Sequence, residues 1–170
     1  MFKYKNQRVG VFVDVSNMYH SAKNLYGARI NFKEILKAVT DGRQLIRAIA
    51  YVIKSHSAEE EHFFDALIKS GFELKSKDLQ IFMDGTKKAD WDVGLAVDAI
   101  TLADRLDSII LLSGDGDYAP LVEYLKTNKG CMVEVAAFGK TTSTKLIEAA
   151  DDFLDLSSDK EKFLIIKKQK

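Results

Sequence analysis

Short apolar segments alternate with longer helical segments along most of the chain, and this alternation limits the possible folds. Residues 8–14, 45–53, 108–112 and 132–138 are rich in Val, Ile, Leu and Phe, which is typical of strands buried on both faces. Segments with helical spacing of apolar residues lie between them. The pattern predicts an α/β fold with three layers, in which helices cover both faces of a mostly parallel, Rossmann-like sheet.

The less regular segments set the expected domain boundaries. Residues 72–74 and 79–82 are short strand candidates around a polar turn at 75–78, and residues 141–150 form the last full helix of the prediction. From residue 159 onward, charged and apolar residues alternate without a clear period. We therefore expect one domain over residues 1–156, and a charged tail or an added helix over 157–170.

The charges of the chain balance. There are 25 Lys plus Arg and 25 Asp plus Glu, so the formal net charge is zero. Such a chain does not have the large basic excess of proteins whose whole surface attracts nucleic acid or anionic membranes. Residues 160–170 hold five Lys and one Glu, so the rest of the chain has a net negative charge. The prediction is a neutral body with a concentrated acidic site and a basic C-terminus.

Cysteine content and hydropathy indicate the compartment. The single cysteine, Cys131, excludes an intramolecular disulfide framework and a Cys-rich zinc site. No apolar run approaches the roughly 20 residues that a bilayer-spanning helix needs, and the N-terminal segment is charged. We expect a cytoplasmic protein that has no contact with membranes.

Acidic residues follow the predicted strands, at the sheet edge where α/β proteins bind their ligands. Asp14 ends the first strand with Asn17 three residues later, Ser113, Asp115 and Asp117 follow the purest apolar strand, and Asp90 and Asp92 open a long helix. Each acid alone could be a helix N-cap or a turn residue. The functional hypothesis rests on the convergence of three such segments at one edge.

Clustered carboxylates need a positive charge. Two carboxylates about 4 Å apart repel by about 4 kcal/mol at a protein surface. A ligand set of oxygen atoms alone indicates Mg²⁺ or Mn²⁺ rather than zinc, and suits metal-assisted phosphodiester hydrolysis. The histidines do not form a competing site, because His56 and His62 would point about 120° apart on a helix and His20 is remote in sequence.

Other phosphate-handling and hydrolase motifs are absent. The sequence contains no P-loop, no glycine-rich dinucleotide loop and no esterase elbow. Ser16 stands where a haloacid-dehalogenase phosphatase would have its second aspartate. These absences favour a metal-binding role for the acidic residues.

Four motifs occur in an order that resembles a known family. They are Val-Phe-Val-Asp-Val-Ser-Asn at 11–17, Asp-Val-x-Leu-x-x-Asp at 92–98, Leu-Ser-Gly-Asp-Gly-Asp-Tyr at 112–118, and a spaced Ser, Leu, Ala-Asp, Phe and Leu pattern over 143–156. Together they resemble the NYN domain of the LabA type, a branch of the PIN-like nucleases, over residues 7–156. Ser16 and Trp91 depart mildly from the family pattern, and neither replaces an expected ligand.

The resemblance implies a PIN-like fold and a Mg²⁺- or Mn²⁺-dependent endoribonuclease. It implies that Asp14, Asp92, Asp115 and Asp117 form the catalytic and metal-binding set, with Asn17 and Ser113 as supporting groups. Asp98 also matches a recurring acid, but it lies about 120° around an ideal helix from Asp92. We therefore expect it behind the site or at the surface.

The implied partner is single-stranded or structured RNA, which needs cations for its phosphates and aromatic faces for its bases. The candidate substrate contacts are Lys54, His56, Lys87, Lys88 and Tyr118, with Tyr19 and Trp91 as further aromatic neighbours. Solvated lysines and a packed tryptophan are the structural alternatives. A non-catalytic RNA- or protein-binding module, or a small-molecule phosphatase or nucleotide-processing enzyme, would use the same pocket. The sequence leaves a monomer and a homodimer open.

Overall fold

Ten strands and seven α-helices make up the computed structural model, which describes residues 3–55, 57–85 and 87–166. The strands are β1 Arg8–Asp14, β2 Arg29–Ile30, β3 Gln44–Lys54, β4 Glu73–Asp78, β5 Gln80–Ile81, β6 Lys87–Lys88, β7 Ser108–Leu112, β8 Met132–Ala137, β9 Asp152–Asp155 and β10 Leu164–Ile165. The helices are α1 Val15–Tyr26, α2 Phe32–Thr40, α3 Ala58–Lys69, α4 Asp92–Ala103, α5 Ala119–Lys129, α6 Thr144–Ala149 and α7 Lys160–Phe163. None of the helices in these residues is long and apolar enough to span a membrane.

Six strands form the central sheet, in the order β4-β3-β1-β7-β8-β9, and every neighbouring pair is parallel. The chain builds outward from β1 through β3 to β4, then crosses to the other side of β1 and continues through β7, β8 and β9. The predicted Rossmann-like α/β fold is confirmed. The reversal of strand order lies between β1 and β7, which is where ligands bind in open α/β sheets.

Side chains of β1 supply both apolar layers. Val9, Val11 and Val13 pack with residues of α1 and α2, whereas Phe12 packs with residues of α4 and α5. All five residues of β7 are buried, as the apolar run predicts. Helices on both faces therefore fix the position of the two strands whose ends carry the acids.

Several local boundaries differ from the predictions. Residues 75–78 are not a turn, because β4 runs through them and pairs in parallel with β3. The predicted helix 141–150 is reduced to α6, preceded by a 3-10 turn at Gly139–Thr141. The hydroxyls of Thr141 and Thr142 both donate to the carbonyl oxygen of Phe138, which holds this segment in a tight turn.

Residues after 156 continue onto the fold. A 3-10 turn at Leu156–Asp159 leads into α7, and β10 then pairs antiparallel with β2. Phe163 and Leu164 are 3% and 4% exposed and belong to the same apolar layer as α1 and α2. This part of the C-terminal segment is therefore packed on the domain.

A buried ionic cluster lies at the amino-terminal edge of the sheet, opposite the acidic turn, which is the Gly-Asp-Gly-Asp segment at 114–117 after β7. The side chain of Glu134, on β8, is 6% exposed and accepts hydrogen bonds from Arg43, Lys3 and Ser108. The Arg43 side chain is 1% exposed and also donates to the carbonyl oxygens of Val39 and Thr40. Burial acts to raise the pKa of Glu134, but these hydrogen bonds outweigh it and lower the pKa below its usual range.

Candidate active site

The candidate site lies at the carboxyl ends of β1 and β7. Val13 of β1 pairs with Leu112 of β7, so the next residues, Asp14 and Ser113, emerge side by side at the point where the strand order reverses. A cleft of about 210 Å³ opens there. The cleft is lined by residues of α1, of β3, of the turn that follows β7, and of the segment that leads into α4.

Asp14 is both the last residue of β1 and the N-cap of α1. Its Oδ1 accepts a hydrogen bond from the backbone N–H of Asn17 at 3.1 Å, which satisfies one free donor of the first helical turn. Its Oδ2 lies 3.4 Å from the hydroxyl of Tyr118. Burial, together with the nearby carboxylates of Asp92 and Asp115, raises the pKa of Asp14 to about 6 even though these hydrogen bonds favour the charged form.

Asn17 and Ser113 order the turn that follows β7. The Asn17 Oδ1 accepts a hydrogen bond from the backbone N–H of Gly114 at 2.9 Å, which connects α1 to this turn. Ser113 is fully buried, and its Oγ accepts from the N–H of Asp115 at 3.2 Å. Both side chains are therefore placed to support the acidic residues.

The two glycines of the Gly-Asp-Gly-Asp turn allow a close approach by the loop after β8. A Cβ on Gly114 would lie 3.0 Å from the carbonyl oxygen of Thr141, and one on Gly116 would lie 2.6 Å from the Oγ of Ser143. The N–H of Ser143 donates to the carbonyl oxygen of Gly114 at 2.9 Å. Larger residues at these two positions would push the turn away from its support.

Asp92 approaches the same place from another part of the chain. It is the first residue of α4, and its Oδ1 accepts a hydrogen bond from the Tyr118 hydroxyl at 3.0 Å. Burial raises the pKa of Asp92, the hydrogen bond from Tyr118 offsets part of this rise, and the charges of Asp90, Asp115 and Asp117 add to it.

Three carboxylates converge at the site. Oxygen atoms of Asp92, Asp115 and Asp117 all lie within 4.8 Å of one another, and the first two residues are half-buried. Asp14 is outside this closest group and is joined to it through Tyr118.

Repulsion between carboxylates at the distances found among Asp92, Asp115 and Asp117 costs about 3–4 kcal/mol per pair at an effective dielectric constant of about 20. Among the described residues, no Lys or Arg forms an ion pair with any of the three. The donor set therefore fits a hard divalent cation.

The candidate substrate contacts have different positions. Lys54 is half-buried at the end of β3, next in sequence to Ile53, which lines the cleft. Lys87 and Lys88 form β6, of which the structure describes only the backbone, and His56 is outside the described residues. Tyr118 is 2% exposed, so its ring offers no stacking surface to solvent.

The aromatic neighbours also differ in exposure. Trp91 packs against Tyr51, and its Nε1 donates to the carbonyl oxygen of Val52 at 2.9 Å. The Nζ of Lys77 lies over the Trp91 ring, 4.8 Å from its centroid. Tyr19 is 41% exposed and could present its ring to a base.

His20 lines the cleft, although its distance in sequence from the acids gave no reason to place it there. Helix α1 begins immediately after Asp14 and carries Ser16 and His20, four residues apart, along one face. The spacing of residues along a helix that begins after Asp14 is the sequence signal that could have placed His20 at the cleft. Asp98, by contrast, is bound to the Tyr51 hydroxyl and to Lys75, each at 2.7 Å, and is not part of the group of three acids.

Comparisons with known proteins identify the family of this chain. The sequence profile of the NYN domain matches residues 8–157. The chain belongs to the NYN domain family. The protein "Low amplitude and bright protein LabA" of Synechococcus elongatus is 25% identical over 162 residues, which are 91% of this chain and 86% of LabA.

A solved structure gives a closer match to this NYN domain. A protein of unknown function from Vibrio parahaemolyticus is 33% identical, with a TM-score of 0.87 over 97% of this chain and 100% of that chain. Members of the NYN domain family are usually nucleases. The family supports a nuclease-type function, and the described residues include a cluster of three carboxylates.

Proposed function

We propose that this NYN domain is a Mg²⁺- or Mn²⁺-dependent endoribonuclease. The observation that carries the proposal is the convergence of Asp92, Asp115 and Asp117 within 4.8 Å at the point where the strand order reverses. The family supports a nuclease, and the choice of RNA as substrate belongs to the proposal.

The four carboxylates divide into two kinds of position. Asp92, Asp115 and Asp117 would hold the cation, and Asp14 would complete the set from the end of β1. A bound Mg²⁺ or Mn²⁺ supplies positive charge that stabilises the scissile phosphate and makes a neighbouring water more acidic. Asn17 and Ser113 keep the turn that carries Asp115 in place through their backbone hydrogen bonds.

The cleft supplies groups that could receive an RNA strand. Ser16 and His20 on α1 offer hydrogen-bond donors to phosphate oxygens, and Lys54 stands at the end of the adjacent strand. The exposed Tyr19 ring lies against His20, with ring centroids 5.5 Å apart. Because the chain has no net positive charge, we expect substrate binding to be weak and to fall with rising salt.

The cleavage test uses Asp115→Asn. Asn can still accept the hydrogen bond that Asp115 receives from the N–H of Asp117, so the turn should fold normally while the ligand charge is lost. We expect the wild type to cleave a labelled single-stranded oligoribonucleotide in Mn²⁺ and not in EDTA. Since loss of a supporting residue alone costs about 10–100-fold, loss of a ligand should reduce the rate by about 100-fold or more.

Asp65→Asn is the matched control, because Asp65 is exposed on α3. It should cleave at the wild-type rate. Full activity of Asp115→Asn in Mn²⁺ would rule out the proposed site. RNA binding without cleavage in Mn²⁺ would indicate a binding module, and faster turnover of mononucleotides than of oligomers would indicate a phosphatase or nucleotide-processing enzyme.

A further inference from the structure

The hydroxyl of Tyr118 lies between two acids that reach the site from different parts of the chain. It is 3.0 Å from the Oδ1 of Asp92 and 3.4 Å from the Oδ2 of Asp14. Tyr118 itself is buried in the apolar layer shared by α4 and α5, one residue after Asp117. Among the described residues, no other side chain donates a hydrogen bond to the Asp92 carboxylate.

We infer that Tyr118 is a positioning residue that holds the Asp92 carboxylate in the ligand set. The inference rests on the proposed function, because it assigns a role toward the same cation. Asp115 and Asp117 are fixed by the turn after β7, whereas Asp92 begins a helix whose N-cap, Trp91, makes no side-chain capping hydrogen bond. The Tyr118 hydroxyl joins that helix to the acidic turn.

The hydroxyl can do this because it remains a donor. The ordinary pKa of a phenol is about 10, so the Tyr118 hydroxyl keeps its proton at neutral pH. A phenol has one proton and donates fully to one acceptor at a time. The shorter contact indicates that the hydroxyl donates its hydrogen bond to Asp92. Asp14 retains the backbone N–H of Asn17 as its donor.

Removing the hydroxyl should weaken cation binding without unfolding the site. In Tyr118→Phe the ring still fills its place in the apolar layer, but Asp92 loses its anchor and is free to turn away from Asp115 and Asp117. Loss of a residue that orients a ligand typically costs about 10–100-fold in metal affinity, so we expect the dissociation constant for Mn²⁺ to rise by at least about tenfold. At saturating Mn²⁺ the turnover number should recover to within about threefold of the wild type.

Tyr51→Phe is a closely matched control for this change. Tyr51 is 1% exposed, and its hydroxyl also donates to a carboxylate, at 2.7 Å, but that carboxylate belongs to Asp98 and lies outside the acidic cluster. The experiment is calorimetric titration of the full-length wild type and both variants with MnCl₂, combined with thermal unfolding in EDTA to confirm that each variant is folded. The Tyr51→Phe affinity should stay within about twofold of the wild type.

The possible results separate the inference from the function on which it rests. Weakened Mn²⁺ binding in Tyr118→Phe alone supports the positioning role. Equal affinities in the wild type and Tyr118→Phe, or the same weakening in both variants, would overturn it while leaving the metal site intact. A wild type that binds no Mn²⁺ would overturn the proposed metal site and this inference together.

Discussion

Asp14→Asn should abolish metal-dependent cleavage and at the same time stabilise the metal-free protein. The pKa of Asp14 is raised from 3.8 to about 6 because its charged form is buried near other acids. Its contribution to stability is therefore full below pH 3.8 and is lost as pH rises to about 6. Each pKa unit corresponds to about 1.4 kcal/mol, so the penalty at pH 8 reaches up to about 3 kcal/mol.

Asn removes this charge but keeps the N-cap, because its side-chain oxygen can accept the same hydrogen bond from Asn17. In EDTA at pH 8 we expect the melting temperature of Asp14→Asn to exceed that of the wild type by several degrees, at about 2–4 °C per kcal/mol for a chain of this size. The difference should shrink at pH 5, and Asp65→Asn should show none of it. A variant that is less stable than the wild type at pH 8 would contradict the account of Asp14, as would full cleavage in Mn²⁺.

Glu134→Ala should destabilise the fold strongly while leaving the acidic site unchanged. The substitution leaves Arg43, whose side chain is 1% exposed, without its carboxylate partner. Breaking a buried ion pair in this way costs about 3–5 kcal/mol, because the remaining charge is buried and uncompensated. We expect the melting temperature to fall by roughly 10 °C. Cleavage measured well below that temperature should match the wild type, because the cluster lies at the opposite edge of the sheet.

The matched comparison for this change is Glu73→Ala. Glu73 also receives two hydrogen bonds from one arginine, Arg47, but the two side chains are 53% and 36% exposed. An exposed pair contributes about 0–1 kcal/mol, so urea unfolding should show a much smaller loss than in Glu134→Ala. Equal losses of unfolding free energy in the two variants would mean that burial of the Arg43–Glu134 pair does not increase the cost of breaking it.

The sequence was most informative where one face or both faces of an element are buried. Four of the five residues of β7 are apolar and all five are buried, and its boundaries at Ser108 and Leu112 were predicted correctly. The Asn31 side chain caps α2 by accepting a hydrogen bond from the N–H of Glu34, and a sequence pattern can indicate such a contact because the two residues are three positions apart. Local signals of this kind depend on neighbours in sequence alone.

Elements that depend on distant partners were less predictable. β4 includes Lys75 and Lys77, whose charges suggested a turn, but it is an edge strand and pairs with β3. Lys75 contacts Asp98 in α4 and Lys77 lies over the ring of Trp91 at the start of α4, so both polar side chains have partners outside their own strand. Pairing of β10 with β2 likewise depends on contacts between segments that are far apart in sequence.

In the candidate site, too, local features could be predicted from the sequence and contacts between distant residues could not. The acids could be named from their positions after strands and from the family resemblance. The role of Tyr118 could not be read in this way, because it depends on a hydroxyl that contacts Asp92, 26 positions earlier in the chain. His20 could be placed on the cleft wall only once the course of α1 was known.

Anomalous diffraction from crystals of the wild type soaked in MnCl₂ would locate the cation that the proposed function requires. We expect a manganese peak coordinated by oxygen atoms of Asp92, Asp115 and Asp117, at the carboxyl ends of β1 and β7. The same soak of Asp115→Asn should give a much weaker peak. A wild-type crystal with no peak among these carboxylates, from protein that cleaves RNA in Mn²⁺, would show that the catalytic site lies elsewhere.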